Sequence, residues 1–153
     1  MTSPTTHRTY TIKEAAALTG LPASTLRYYE SIGVIAPISR GSTSGHRVYD
    51  DQDLDRLMWV ACLAATGMSV SDMRAYATNS SLGPAAAQGQ IALLETQARR
   101  LADEAAQLVL RQRYVRIKID YWRAVDAGDG VRVEQLSLEA RALADELRHS
   151  RTP

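Results

Sequence analysis

Within the first fifty residues of this 153-residue chain, Ser24, Arg27, Tyr28 and Ser31 recur at i, i+3, i+4 and i+7. Arg40, His46, Arg47 and Tyr49 follow in a stretch rich in glycine and serine. At helical spacing the first set forms one polar stripe, with Leu26, Tyr29 and Gly33 on the other side. Hydroxyl and guanidinium donors of this kind suit phosphate oxygens and base edges in a major groove. Arg47 and Tyr49 offer a second donor pair, one to grip the backbone and the other to stack or hydrogen-bond a phosphate. Neither Arg27 nor Arg47 has an obvious local carboxylate to pair with. For Tyr29 and Tyr49 the alternative is core packing with a capped hydroxyl.

Charge distribution points the same way. The whole chain carries a net charge of only +1, but Met1 to Tyr49 holds five basic residues (Arg8, Lys13, Arg27, Arg40, Arg47) against two acidic ones (Glu14, Glu30), a local +3. From Asp50 onward 13 basic residues face 15 acidic ones, a local −2. A polyanion would dock on the first third. Other chemistries lack residues to rest on. His7, His46 and His149 do not share chelating spacing, Cys62 is the single cysteine, and nucleotide-, acyl- and metalloprotease-type motifs are missing, so neither a metal site nor an enzyme nor a cofactor is expected. One cysteine permits no internal disulfide, which fits a reducing cytoplasm. No run approaches the roughly 20 apolar residues of a membrane span, and the opening MTSPTTHRTY is unlike a signal peptide.

The elements that must position these residues are short. Residues 1–9 read as a disordered tail. Thr11-Ile12-Lys13-Glu14 is a capping box that opens a helix with Ile12, Ala15 and Leu18 inward and Gly20 as its stop. Leu21-Pro22-Ala23 turns the chain into a second helix, Ser24 to Ile32, closed by Gly33, which is a helix-turn-helix pattern. Ala36-Pro37-Ile38 and His46-Arg47-Val48-Tyr49 flank a Gly/Ser tip and read as a small hairpin, or wing. Asp50 caps a third helix with Leu54, Leu57, Met58, Ala61 and Ala65 inward, ended by Gly67; Ser69-Val70-Ser71-Asp72 opens a fourth with Val70, Met73, Tyr76 and Ala77 inward. Asn79 to Pro84 is a breaker cluster.

Beyond it, Ile91, Leu94, Ala98, Leu101, Ala105, Leu108, Gln112, Val115, Ile119 and Trp122 alternate at +3 and +4 from about Gln90 to Ala127. Such a helix is roughly 57 Å long at 1.5 Å per residue, so its stripe calls for a partner helix. A self-associating coiled coil is one reading; folding back on the shorter C-terminal segment, with Val133, Leu136, Leu138, Leu143 and Leu147, is the other. The fold class is therefore all-α with a small β wing.

At Tyr10-Thr11-Ile12-Lys13-Glu14, Ser24-Thr25-Leu26-Arg27-Tyr28-Tyr29-Glu30, Ile32-Gly33-Val34-Ile35, Gly45-His46-Arg47-Val48-Tyr49-Asp50 and Gly67-Met68-Ser69, the chain closely resembles the MerR family of bacterial transcription regulators. The resemblance covers Tyr10 to about Ala77 and, by architecture, the long helix. It implies a winged helix-turn-helix on duplex promoter DNA at residues 10–79, a linker at 80–89, an antiparallel coiled-coil dimerisation helix at 90–127 and a short C-terminal effector or cap segment at 128–153. It also implies a homodimer on a pseudo-palindromic operator that distorts promoter DNA for RNA polymerase. The DNA-contacting set expected is Thr11, Ser24, Thr25, Arg27, Tyr28, Arg40, His46, Arg47 and Tyr49. Dimerisation falls to Ile91, Leu94, Ala98, Leu101, Ala105, Leu108, Val115, Ile119 and Trp122. One departure stands out: Pro22-Ala23 replaces the family's usual Ser-Pro or Ser-Ala, leaving the second helix without a side-chain cap unless Ser24 or Thr25 serves.

Metal-sensing relatives carry cysteines at the start of the long helix and after it, where this chain has none, and only about 23 residues follow Gly130. Two sensing readings stand. Cys62 resembles the lone helix cysteine of the family's aldehyde- and thiol-stress branch, although it sits beside an inward face, and buried free cysteines are usually inert packing residues. Tyr114, Tyr121 and Trp122 could instead line a small effector pocket or belong to the interface core. An effector-independent architectural or excisionase-like DNA binder is the alternative to regulation by a signal.

Overall fold

The computed structural model describes residues 7–150. Of the tail expected at residues 1–9, the first six lie outside the described residues, and 7–9 carry no regular structure. The chain divides into two compact units, one ending at Leu94 and the other starting at Glu95.

The first unit holds α1 (Ile12–Thr19), α2 (Ala23–Ser31), α3 (Asp51–Ala65), α4 (Val70–Leu82) and a 3-10 turn (Gly83–Ala86). The starts of α1, α3 and α4 are set by side-chain caps. Thr11 accepts from the Glu14 amide at 3.2 Å while Glu14 reaches back to the Thr11 amide, and Asp50 and Asp53 form the same reciprocal pair at α3. Ser69 accepts from the Asp72 amide at 3.1 Å to open α4. Gly20 ends α1 at φ 74, a left-handed turn that places α2 against α1. α2 starts at Ala23 with Pro22 as its cap residue and no side-chain cap, so neither Ser24 nor Thr25 serves. The core is formed by Ala15 of α1, Leu26 and Tyr29 of α2, Val34, Ile35 and Ile38 beyond it, Tyr49, Leu57 and Val60 of α3, Met68, and Met73 of α4.

Three details differ from the sequence-based expectation. Leu18 is exposed, and α1 instead turns Ala15, Ile12 and Ala16 inward. In α3 the buried line runs through Leu57 and Val60 with Leu54 and Ala64 against it, whereas Met58 and Ala65 face solvent. At 100° per residue that rotates the helix by most of a right angle from the expected phase and puts Cys62 on the side away from the core, exposed. The Asn79-Ser80-Ser81 cluster does not break α4, which runs to Leu82. The Ser80 and Ser81 hydroxyls donate to the Tyr76 and Thr78 carbonyls at 2.9 and 2.7 Å, so their hydrogen bonding is met inside the helix.

α5 spans Ala87–Asp126, starting three residues before the heptad does. In the second unit it packs with α6, Gly130–His149, which Asp129 caps by accepting from the Arg132 amide at 3.0 Å. Their core is Ile117 and Ala124 with Leu136, Ala140 and Leu143, flanked by Leu110, Tyr114, Tyr121, Val133 and Leu147. Leu138, expected inward, is exposed: it lies about 200° around the helix from Leu136, and Ala140 fills the i+4 place. The final helix is thus 20 residues long rather than short. Among the described residues no helix is long and apolar enough to cross a membrane.

Candidate nucleic-acid interface

α2 presents Ser24, Arg27 and Tyr28 to solvent while Leu26 and Tyr29 anchor its opposite face in the core. Tyr29 is therefore a packing residue. Among the described residues the side chains of Ser24, Arg27 and Tyr28 make no hydrogen bond or ion pair within the chain, so their donors are available. Ser31, on the same stripe, spends its hydroxyl on the Tyr28 carbonyl at 2.7 Å, and Thr25 is half-buried.

The segment after α2 closes into a hairpin loop. Val48 N donates to Ser39 O at 2.8 Å and Gly41 N to His46 O at 2.9 Å, which makes Arg40 and Arg47 an antiparallel, non-hydrogen-bonded pair. Gly45 takes the tip at φ 67, a conformation that favours glycine, and Arg40 donates to the Gly45 carbonyl at 3.1 Å. His46 is exposed. A second bridge, Tyr10 with Tyr49, ties the return of the loop to the segment before α1, where the Arg8 guanidinium lies 5.1 Å from the centre of the Tyr10 ring.

Three of the expected contact residues are engaged or buried within the chain. Tyr49 is 0% exposed, with its ring in the core and its hydroxyl buried without a hydrogen-bond partner among the described residues; that burial also pushes its ionisation up. Thr11 uses its hydroxyl in the α1 cap. Arg47 does have a carboxylate: its Nε donates to Glu30 Oε1 at 2.6 Å, with the two side chains 20% and 13% exposed. The pair is separated by 17 positions, beyond the reach of any local spacing rule. Burial pushes the Glu30 carboxyl up, but the hydrogen bonds from Arg47 and the Ile38 amide and the charges of Arg47 and Arg40 together hold it below its ordinary value.

On α5, the heptad residues Ile91, Leu94, Ala98, Leu101, Ala105, Leu108, Val115, Ile119 and Trp122 are all exposed, Leu108 by 53% and Trp122 by 64%. α6 covers a different face of the same helix. Beside it, a groove of about 300 Å³ is lined by Tyr114, Lys118, Tyr121, Trp122, Ser137 and Arg141. The Lys118 ammonium lies 5.7 and 5.6 Å from the Tyr114 and Tyr121 ring centres. Among the described residues no three His, Cys, Asp or Glu side chains gather to hold a metal ion.

Two short helices joined at a left-handed glycine, one with a free polar face, define a helix-turn-helix domain. Residues 10–80 match the MerR HTH family regulatory protein, so this part of the chain is a MerR family helix-turn-helix domain. It is 29% identical to an HTH-type transcriptional regulator of Haemophilus influenzae over 84% of this chain and 94% of that one. It is 33% identical to the HTH-type transcriptional regulator AdhR of Bacillus subtilis over 60% of this chain and 65% of that protein. Among solved structures it resembles HiNmlR, a MerR family regulator lacking the sensor domain and bound to promoter DNA, at 28% identity and a TM-score of 0.65, covering 84% of this chain and 96% of that one. A MerR family transcriptional regulator from Listeria monocytogenes is similar at 26% identity and a TM-score of 0.67, over 85% and 98% of the two chains.

Proposed function

We propose that the chain is a homodimeric, promoter-binding regulator that sets α2 into the major groove with the Ile38–Tyr49 loop alongside as a wing. The observation that carries this reading is the free Ser24–Arg27–Tyr28 face on a helix whose other side is fixed in the core. The likeness to a family member bound to promoter DNA supports it. Direct contacts go to Ser24, Arg27, Tyr28, Arg40, His46 and Arg47, with Thr11 and Tyr49 shaping the domain instead. The exposed seam of α5 supports antiparallel pairing of two copies, which would present two α2 helices to a pseudo-palindromic operator. Bending and untwisting of that operator for RNA polymerase follows from the family's mode of action. Such work is done in the cytoplasm. Residues 10–79 serve as the winged DNA-binding domain, 80–89 as the connection, 90–127 as the dimerisation helix and 128–153 as a cap that also borders an effector groove.

Binding of duplex from the protein's own upstream promoter tests the proposal. Affinity should fall roughly 10³-fold or more from about 50 to 200 mM salt if many phosphates are gripped. A flat dependence contradicts it.

A signal-responsive mode has two anchors. The Cys62 thiol is exposed, which favours reaction over inert packing, and the groove at Tyr114, Lys118 and Tyr121 combines aromatic walls with cations suited to a small aromatic anion. Run-off transcription with and without a thiol-reactive aldehyde separates the two. An unregulated architectural protein would respond to neither.

A further inference from the structure

We infer that Glu30 is a positioning residue for DNA binding: it holds Arg47 by Nε and leaves the two terminal nitrogens of the guanidinium to grip a phosphate. The inference rests on the proposed wing contact and names the residue that builds it.

The hairpin forces a conflict that Glu30 resolves. Arg40 and Arg47 are directly opposite in a non-hydrogen-bonded pair, where side chains share one face and approach closely, and like charges so placed oppose pairing. A ladder position that needed only stability would not carry two guanidinium groups. Glu30 comes from the last turn of α2 and is joined to the loop at both ends: Oε1 accepts from Arg47 Nε at 2.6 Å on the return arm, and Oε2 accepts from the Ile38 amide at 3.4 Å on the outgoing arm. One carboxylate thereby fixes the loop to the helix that carries Arg27 and Tyr28, so the two DNA-facing elements keep one spacing. Only Nε of Arg47 is engaged among the described residues, and a guanidinium has four further N–H donors on its terminal nitrogens. Fixing the fork before docking removes rotamer entropy that a free arginine would lose on the duplex. A sequence reading sees Glu30 only as an acidic residue in a basic segment, a weakening of the patch; the geometry makes it the holder of the patch.

The test compares wild type, Arg47→Ala, Glu30→Ala and the double variant on duplex from the protein's own upstream promoter. Arg47→Ala should reduce the slope of log affinity against log salt by about 0.9 for each copy bound. For two copies, its deficit relative to wild type should shrink about tenfold between about 50 and 200 mM salt. Glu30→Ala should flatten the slope as much, despite removing a negative charge from a DNA-facing surface, and the double variant should be no worse than Arg47→Ala. If Glu30→Ala tightens binding or leaves the slope intact while Arg47→Ala flattens it, the positioning role is refuted and the phosphate contact stands. If Arg47→Ala leaves the slope intact, the wing contact itself fails and the inference with it. Wild-type protein gives a reading that needs no stable variant: the Arg47 Nε–H nitrogen resonance should keep its slow exchange when DNA is added. Loss of that protection would show Arg47 leaving Glu30 for the duplex, and would overturn the inference.

Discussion

Replacing Leu101 and Leu108 by alanine should break self-association without unfolding the chain. In one copy Leu101 is 40% and Leu108 53% exposed. Full burial of a leucine side chain stabilises by about 1.5–3 kcal/mol, so covering those exposed fractions contributes about 1.4–2.8 kcal/mol per copy and about 3–6 kcal/mol per dimer. At 1.4 kcal/mol per decade the double substitution should raise the dimer dissociation constant about 10²- to 10⁴-fold. Aspartate at the same positions should give monomers outright, because burying it would strip two charges of water. Sedimentation velocity across a protein dilution series reads the constant directly. Far-UV circular dichroism of the variant should keep its helical signal, since α5 has a second apolar face on α6 through Ile117 and Ala124. Operator affinity should fall together with dimerisation. A dissociation constant within tenfold of wild type would place the interface elsewhere and refute the seam.

Tyr49→Phe should hold or raise thermal stability, because the deleted hydroxyl is buried without a partner among the described residues, and should leave operator affinity within about twofold; a large affinity loss at unchanged stability would return Tyr49 to the DNA surface. The Glu30 carboxyl titrates below its ordinary value in the folded chain, so its stabilising contribution is complete above the ordinary carboxylate range and disappears as pH falls through the lowered value. The melting-temperature gap between wild type and Glu30→Gln should therefore be widest near about pH 6–7 and narrow towards about pH 3, and a gap independent of pH contradicts the ion pair. Cys62 should alkylate in the native protein at a rate near that of the unfolded chain, and activation by a thiol-reactive aldehyde should vanish in Cys62→Ser; an unchanged response moves sensing to the Lys118 groove.

Much of the architecture is legible where a single local rule decides it. The Thr11–Glu14 box and Gly20 mark both ends of α1, and the +3/+4 rhythm from Ile91 to Trp122 marks an apolar stripe that is exposed in the chain. The Ser24–Arg27–Tyr28 stripe is also local, since period alone separates it from Leu26 and Tyr29. Rotational phase is harder where alanine, methionine and cysteine surround a helix: in α3 Leu57–Val60 and Leu57–Met58–Ala61 are both acceptable apolar lines, and only packing against α1 and α4 selects the first. That choice puts Cys62, for which the sequence leaves both packing and reaction open, at the surface. Polar clusters mislead when hydroxyls find helical carbonyls, as Ser80 and Ser81 do. The long helix carries two apolar faces rather than one, because its Leu110, Tyr114, Ile117 and Tyr121 face is distinct from the heptad face. The Glu30–Arg47 pair depends on loop closure between residues 30 and 47, which no window along the chain contains.

The reading of the α2 face as the DNA-contacting surface is tested most directly by titrating Arg27→Ala against duplex from the protein's own upstream promoter, with circular dichroism to verify folding. Arg27 is exposed and carries no ion pair among the described residues, so its removal should leave stability unchanged. Loss of one good contact of about 1–3 kcal/mol in each of two half-sites should weaken binding by roughly 30-fold or more. Operator affinity within twofold of wild type would contradict the assignment of α2 as the helix that reads DNA.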